Sequence, residues 1–345
     1  MGNQATRQAP PESIRKRFSL WDFYLYQKPM IRVVIATVPL IAASVYLFGW
    51  RSLSVLALSI LFGTLTEWLF CRKREEKVSS AVLVTAVLYA LTLPPRVPYM
   101  VAAVGIVVAV MFGKEVFGGF GRNPFNPALV GRCFIYICFP VPMTAQWLAP
   151  YEGWPAGLGH WVKAADALTR ATPLLEFRTS HAVAPYANLL FGNRAGSLGE
   201  TSALLILLGA AYLLIKRTAD WRIMLSCVVG GLLMSAVFHY SGSTRVPDPL
   251  FTVLAGGFLF GSVFMATDPI SAAQTGTGRF IYGFLIGAVT VILRAFSNFI
   301  EGMMFSILLM NTFAPIMDHY VRESKKLKKA PRGTKKAAGE SEAQA

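Results

Sequence analysis

Several long stretches of this chain carry almost no charge: Ile31–Phe48, Leu53–Phe70, Val101–Phe112 and Leu204–Ile215. Crossing the hydrocarbon core of a bilayer as a helix takes about 20 mostly apolar residues, somewhat fewer when flanking side chains reach back to the interface. A chain with this many such runs has few places to put them except lipid. Only 15% of the residues are charged, against about 25% in a soluble domain. The expected fold class is therefore an all-α integral membrane protein; a soluble all-α core is the competing reading, and the run lengths tell against it.

Apolar runs between breaks place about ten transmembrane helices, near 31–49, 53–70, 78–93, 98–113, 129–144, 202–215, 223–239, 250–266, 280–293 and 302–317. An even number puts both termini on one side. If that side is the cytoplasm, the inside segments and their edges hold roughly 25 of the 33 basic residues, the bias that orients membrane proteins. The expected organisation is a basic cytoplasmic tail (1–30), a first five-helix half (31–144), an extracytoplasmic segment (145–201), a second five-helix half (202–317) and a basic cytoplasmic tail (318–345). The third span ends at Thr92-Leu93-Pro94-Pro95 and the eighth at Thr267-Asp268-Pro269, and each is followed by a polar break containing Asn123 or Asn298. Halves of five spans are inverted with respect to each other, so this weak repeat suggests two inverted repeats, a common transporter architecture.

The formal charge of +15 is concentrated in the tails, which suits anionic membrane lipid rather than nucleic acid. The first 30 residues are polar and basic, with no apolar core of a cleavable signal. Cys71, Cys133, Cys138 and Cys227 form no CxxC pair or Cys/His cluster, so no metal site is expected.

Four segments carry candidate chemistry. Asp166-Ala167-Leu168-Thr169-Arg170-Ala171-Thr172-Pro173-Leu174 lies in the external segment; on its own it reads either as a helix-capping turn or as an exposed hydroxyl open to modification. Gly113 to Leu129 is too rich in Gly and Pro for a continuous helix, and reads as a re-entrant turn or a ligand loop. No Gly-Lys-Ser/Thr closes it into a P-loop. Asp268, in Phe264-Met265-Ala266-Thr267-Asp268-Pro269, stands at the membrane end of an apolar run, where a carboxylate must be hydrated, paired or bound to a cation. Glu67 lies four residues before the basic stop Arg72-Lys73-Arg74, where it can snorkel, pair with Arg72, or serve transport.

The first of these segments resembles the Ser/Thr-x-Ala-Thr flavinylation motif of the D subunit of Rnf complexes and the B subunit of sodium-pumping NADH:quinone oxidoreductase (Nqr). The Gly113–Leu129 and Phe264–Ala272 segments, Gly196–Ser202 and the helix from Glu301 to Asp318 are similar to further signatures of that family, so the resemblance covers nearly all of the chain beyond its N-terminal tail. It implies that Thr172 carries FMN through a phosphoester bond, with Asp166, Thr169 and Ala171 matching the motif and Arg170 replacing a small or neutral residue where a cation can help hold the phosphate. It also implies a noncovalent riboflavin that the family can carry within the membrane, and a flavin transferase and other Rnf or Nqr subunits as partners. The expected setting is the bacterial inner membrane.

In the Nqr branch an acidic residue preceded by two glycines lies near the quinone and sodium region; Glu67 and Gly63 fit, while Thr64 departs. Length and the short N-terminal tail look Rnf-like, whereas the Gly113–Asn123 loop and the Glu301–Pro315 helix look closer to Nqr. The expectation is an Rnf-like subunit of a Na+ or H+ translocase, of the ferredoxin:NAD or NADH:quinone type and inactive alone. Asp268, Glu67, Asn123, Glu115 and Asp318 are the candidates for the ion path. A passive channel or solute transporter without redox activity is the alternative, and it has no need of a Thr-x-Ala-Thr segment.

Overall fold

The computed structural model describes residues 24–162, 172–297 and 302–329. Within these the regular secondary structure is helical apart from one short parallel bridge, in which β1 (Tyr24–Leu25) pairs with β2 (Val78–Ser79) in the register Tyr24 to Val78. The helices are α1 (Lys28–Phe48), α2 (Arg51–Arg74), α3 (Ala81–Leu91), α4 (Tyr99–Gly113), α5 (Pro127–Cys138), α6 (Pro140–Thr144), α7 (Pro173–Ser180), α8 (Tyr186–Phe191), α9 (Ala203–Ile215), α10 (Trp221–Tyr240), α11 (Pro249–Leu254), α12 (Phe258–Phe260), α13 (Gly276–Phe296) and α14 (Gly302–Lys329).

Five helical stretches are long and apolar enough to cross a membrane: Lys28–Phe48, Arg51–Arg74, Tyr99–Phe117, Trp221–Tyr240 and Gly276–Phe296. Their outward faces present large apolar side chains such as Leu61, Leu65, Leu69, Leu225, Leu233 and Val237, an arrangement that water does not favour and lipid does. Three of the expected spans are shorter apolar helices, α3, α5 and α9. The expected span 129–144 stops at Phe139, where Pro140 opens the separate turn α6. The expected span 250–266 is broken as well: α11 ends at Leu254, and after Ala255–Gly257 the chain resumes as α12 and a π-helical turn, Gly261–Met265.

Polar caps explain where the helices begin. Asn126, Ser202, Asp220, Asp248 and Thr275 each accept a backbone N–H from the first turn of the helix that follows, satisfying donors that lipid would leave bare. Pro stands at the start of α1, α5, α7 and α11, where its missing N–H costs nothing.

Helices α1–α5 pack together, as do α9–α14, and the two bundles meet where α1 lies on α9 and α14 lies on α5. Glycine permits the closest approaches. A Cβ on Gly287 of α13 would sit 2.0 Å from the Cys227 carbonyl oxygen of α10, and one on Gly131 of α5 would sit 2.4 Å from the Gly105 carbonyl of α4. The connection between the bundles is held at both described ends. Residues 145–162 fold over the α1–α2 corner through Tyr151 N–H to Leu47 O (2.8 Å), Trp50 N–H to His160 O (3.1 Å) and Arg51 N–H to Trp161 O (2.9 Å). The segment that resumes at Thr172 instead packs on the second bundle, where Leu174 and Leu189 are buried against Phe251 and Ala255.

Candidate functional site

Thr172 is the N-cap of α7: its side-chain oxygen accepts the Leu175 N–H at 3.4 Å, and its carbonyl accepts the Glu176 N–H at 2.9 Å. It is half-buried, and its hydroxyl stands at the positive end of the helix, where backbone N–H groups favour an anion. Asp166, Thr169, Arg170 and Ala171 lie outside the described residues. Beside α7 is a cavity of about 400 Å³, walled by Leu174, Phe177, Arg178 and His181 from α7, Thr244–Pro247, Thr252 of α11, and Val291 and Arg294–Phe296 from the end of α13.

The other end of the bundle holds a narrower pocket, about 60 Å³, on the seam between the bundles. From the first bundle it takes Thr85, Lys114, Asn123 and Asn126, and from the second Phe264, Thr267 and Asp268. Asp268 accepts from the Ser271 hydroxyl (2.7 Å) and N–H (3.4 Å). Asn126 caps α5 with its side-chain oxygen and donates its amide to the Met265 carbonyl (3.2 Å), joining α5 to the π-helical turn of the other bundle. Asn123 turns its amide to the Phe125 carbonyl at 3.0 Å.

The ion-path candidates therefore fall into three groups. Asp268 and Asn123 line this pocket. Glu67 stands one step behind it: it is buried, accepts the Ser79 N–H at 2.8 Å, and pairs with Lys114 at 2.6 Å. Its partner is thus Lys114, 47 positions away, rather than the neighbouring Arg72. Glu115 and Asp318 serve other contacts. Glu115 pairs with Arg74 and leaves Oε1 without a hydrogen bond, while Asp318 ties down the turn before α13 by accepting Gln274 N–H (2.6 Å), Thr275 N–H (2.9 Å) and the Thr275 hydroxyl (2.6 Å).

Between the two ends lies a buried charge cluster that the sequence alone did not single out. Arg132 of α5 pairs with Glu200 at 2.9 Å. Arg194 donates to the carbonyls of Thr201 (2.9 Å) and Glu200 (2.8 Å). Arg294 donates to the carbonyls of Thr252 (2.7 Å) and Ala255 (3.3 Å) across the break after α11. Burial pulls the Arg194 guanidinium down to about 10, with Glu200 opposing and Arg294 adding to the fall, which still leaves it charged near neutrality. Of these guanidinium groups Arg132 meets the Glu200 carboxylate, while Arg194 and Arg294 donate to backbone carbonyls. A signal was present: Arg132 interrupts an apolar run, and a charge there requires a partner.

Residues 24–326 match the family described as NQR2, RnfD, RnfE. Among relatives, the B subunit of the Na(+)-translocating NADH-quinone reductase of Pseudomonas paraeruginosa is 40% identical over 278 residues, covering 78% of this chain and 66% of that protein. The corresponding B subunit from Chromohalobacter salexigens is 42% identical over 280 residues, 78% of this chain and 64% of that protein. The D subunit of the ion-translocating oxidoreductase complex of Alcanivorax borkumensis is 36% identical over 311 residues, 85% of this chain and 90% of that protein. The chain thus spans just under two thirds of the length of the two reductase subunits and most of the length of the Alcanivorax one. With its multi-pass helical fold, this chain belongs to the NQR2, RnfD, RnfE family.

Proposed function

We propose that the chain is the flavin-carrying membrane subunit of an ion-translocating oxidoreductase, working only with the other subunits of an Rnf-like or Nqr-like complex. The observation that carries the reading is the setting of Thr172, a half-buried hydroxyl at the N-terminus of α7 beside a cavity with arginines on its wall. A phosphoester there fits the chemistry: the helix N-terminus offers N–H groups to the phosphate, and Arg178 and Arg245 add positive charge. FMN bound at Thr172 supplies one-electron transfer; the protein supplies its position and surroundings. A flavin transferase acting on the outer face of the bacterial inner membrane attaches it.

The ten runs act as two inverted five-helix repeats with both termini in the cytoplasm. This agrees with the matching pairs α2 on α4 and α10 on α13, and α4 on α5 and α13 on α14. In that frame the Lys114–Asp268 pocket faces the cytoplasm. Asp268 and Asn123 head the path of Na+ or H+, and the Lys114–Glu67 pair sets the charge behind it. The pocket's polar groups against Phe264 also suit the noncovalent riboflavin, for which its present volume of about 60 Å³ must widen along the seam to reach the range of ligand sites.

The test is in-gel flavin fluorescence of the denatured chain made with a flavin transferase. Wild type is expected to fluoresce and Thr172→Ala to be dark. A dark wild-type band removes the covalent flavin and leaves a channel or a flavin-less scaffold. For the ion path, the assembled complex carrying Asp268→Asn is expected to keep electron transfer and lose most cation uptake in vesicles; full uptake removes Asp268 from the path.

A further inference from the structure

The corner between α1 and α2 carries a rim of large side chains that the packing does not use. Residues 145–162 sit tightly on this corner: a Cβ on Gly157 would meet the Val45 carbonyl oxygen at 2.4 Å, and one on Gly49 would meet the Trp161 carbonyl oxygen at 2.7 Å. The backbone of the segment is thus pressed against the bundle, yet two of its three tryptophans stay outside. Trp154 is 81% exposed and Trp161 57%, and Tyr46, Trp50 and Leu158 are exposed as well. Two hydrogen bonds hold the rim together. The Tyr46 hydroxyl donates to the Gly153 carbonyl (3.3 Å), next to Trp154, and the Trp50 indole N–H donates to the Leu158 carbonyl (2.8 Å).

What covers the rim follows from where it stands. On α1, Ile35, Val38, Ala42 and Tyr46 recur at three- and four-residue spacing, and all four are exposed, which makes one apolar stripe along the helix. With 21 residues α1 is about 31 Å long, close to the hydrocarbon core of about 30 Å. The stripe therefore faces lipid through the thickness of the membrane, and Tyr46, near its end, marks the boundary with the headgroups. Through the Tyr46–Gly153 bond the rim continues that stripe at the boundary level. Indole and phenol rings favour this layer, because an apolar body and a single polar N–H or O–H each find their own phase there. We propose that residues 145–162 form a membrane-surface flap, with Trp154 and Trp161 seated in the headgroup–acyl boundary of the leaflet at the α1–α2 corner. The occupant of the rim is lipid, whichever side of the membrane the corner faces and whatever cofactor the chain carries.

The experiment uses the full chain, alone and in its assembled complex, reconstituted in phosphatidylcholine vesicles. The chain has seven tryptophans, so the signal of Trp154 is taken as wild type minus Trp154→Phe, a change at a site exposed enough for folding to tolerate it. That difference signal is expected to be blue-shifted from indole in water. Lipid brominated near the headgroup is expected to quench it several-fold more than lipid brominated near the acyl ends, and aqueous acrylamide several-fold less than it quenches free indole. Trp161→Phe, read in the same way, is expected to give the same order and serves in place of Trp154→Phe if that variant does not fold.

A difference signal that acrylamide quenches as fully as free indole, and that neither brominated lipid touches, places the rim in water and overturns the flap. A signal sheltered from acrylamide and from both lipids in the complex gives the rim to a partner subunit, which overturns it as well.

Discussion

A buried lysine matters more here than its surroundings in the sequence suggest. Lys114 and Glu67 are both about 2% or less exposed and lie 2.6 Å apart, so each is the other's compensation for lost hydration. Removing one partner of such a pair typically costs about 3–5 kcal/mol, whereas replacing both with apolar residues of similar volume is close to neutral. Lys114→Met and Glu67→Leu alone are therefore each expected to lower the melting temperature in detergent sharply, and the double variant to recover most of the loss. A double variant no better than the worse single one would mean that the pair is not a unit. Of this arrangement the sequence left Glu67 free to snorkel, pair with Arg72 or serve transport; nothing near it pointed to a lysine 47 residues away. The motif threonine was legible because a capping signal, Thr172 before Pro173, is local. The Arg132–Glu200 pair was not, because pairing across 68 positions depends on how α5 meets the loop before α9.

Helices break in this protein where backbone groups find partners from another element. The interval Ala255–Gly257 stays open because Arg294 donates to the Thr252 and Ala255 carbonyls, replacing bonds a continuous helix would have made. A hydropathy window reads 250–266 as one span, since arginine's role as a substitute donor leaves no trace in the apolar run itself. Arg294→Leu is thus expected to be more harmful than loss of a surface arginine, by about 2–4 kcal/mol for two stranded carbonyls, read as a fall in thermal stability. The α10–α13 contact gives a second test. Gly287→Ala places a methyl 2.0 Å from the Cys227 carbonyl, with backbone on both sides, while Gly159→Ala meets only Pro155 at 3.5 Å. The first is expected to destabilise by about 1–3 kcal/mol or more as an overpacked contact and the second to be near neutral. Equal melting temperatures for the two would refute the close packing. The shared feature of Gly287 and Gly131 was visible only as a small residue in an apolar run; which helix it faced had to come from packing.

Across the whole molecule, the long apolar runs made the membrane class legible at once, because hydrocarbon thickness fixes a length that composition must meet. Short or broken elements such as α3 and α11–α12 were harder to read, since they derive support from neighbours rather than from their own length. The proposed orientation is checked by labelling single introduced cysteines in intact cells after Cys138 is replaced by Ser. Ser243→Cys, at the Thr172 end, is expected to react with an impermeant reagent, and Thr218→Cys only after the cells are opened; the reverse pattern would invert the topology. The connection between the bundles bears on how such a chain could be assembled. Residues 145–162 bind the first bundle, while Leu174 and Leu189 pack on the second, so each end of the intervening stretch is already committed to its own half. A gene cut between Val162 and Thr172 would then encode two polypeptides that find each other in the membrane along the α1–α9 and α5–α14 faces, with the threonine travelling entirely on the second. The single chain would act as a convenience of synthesis and stoichiometry, and the information for joining the halves would reside in the faces themselves.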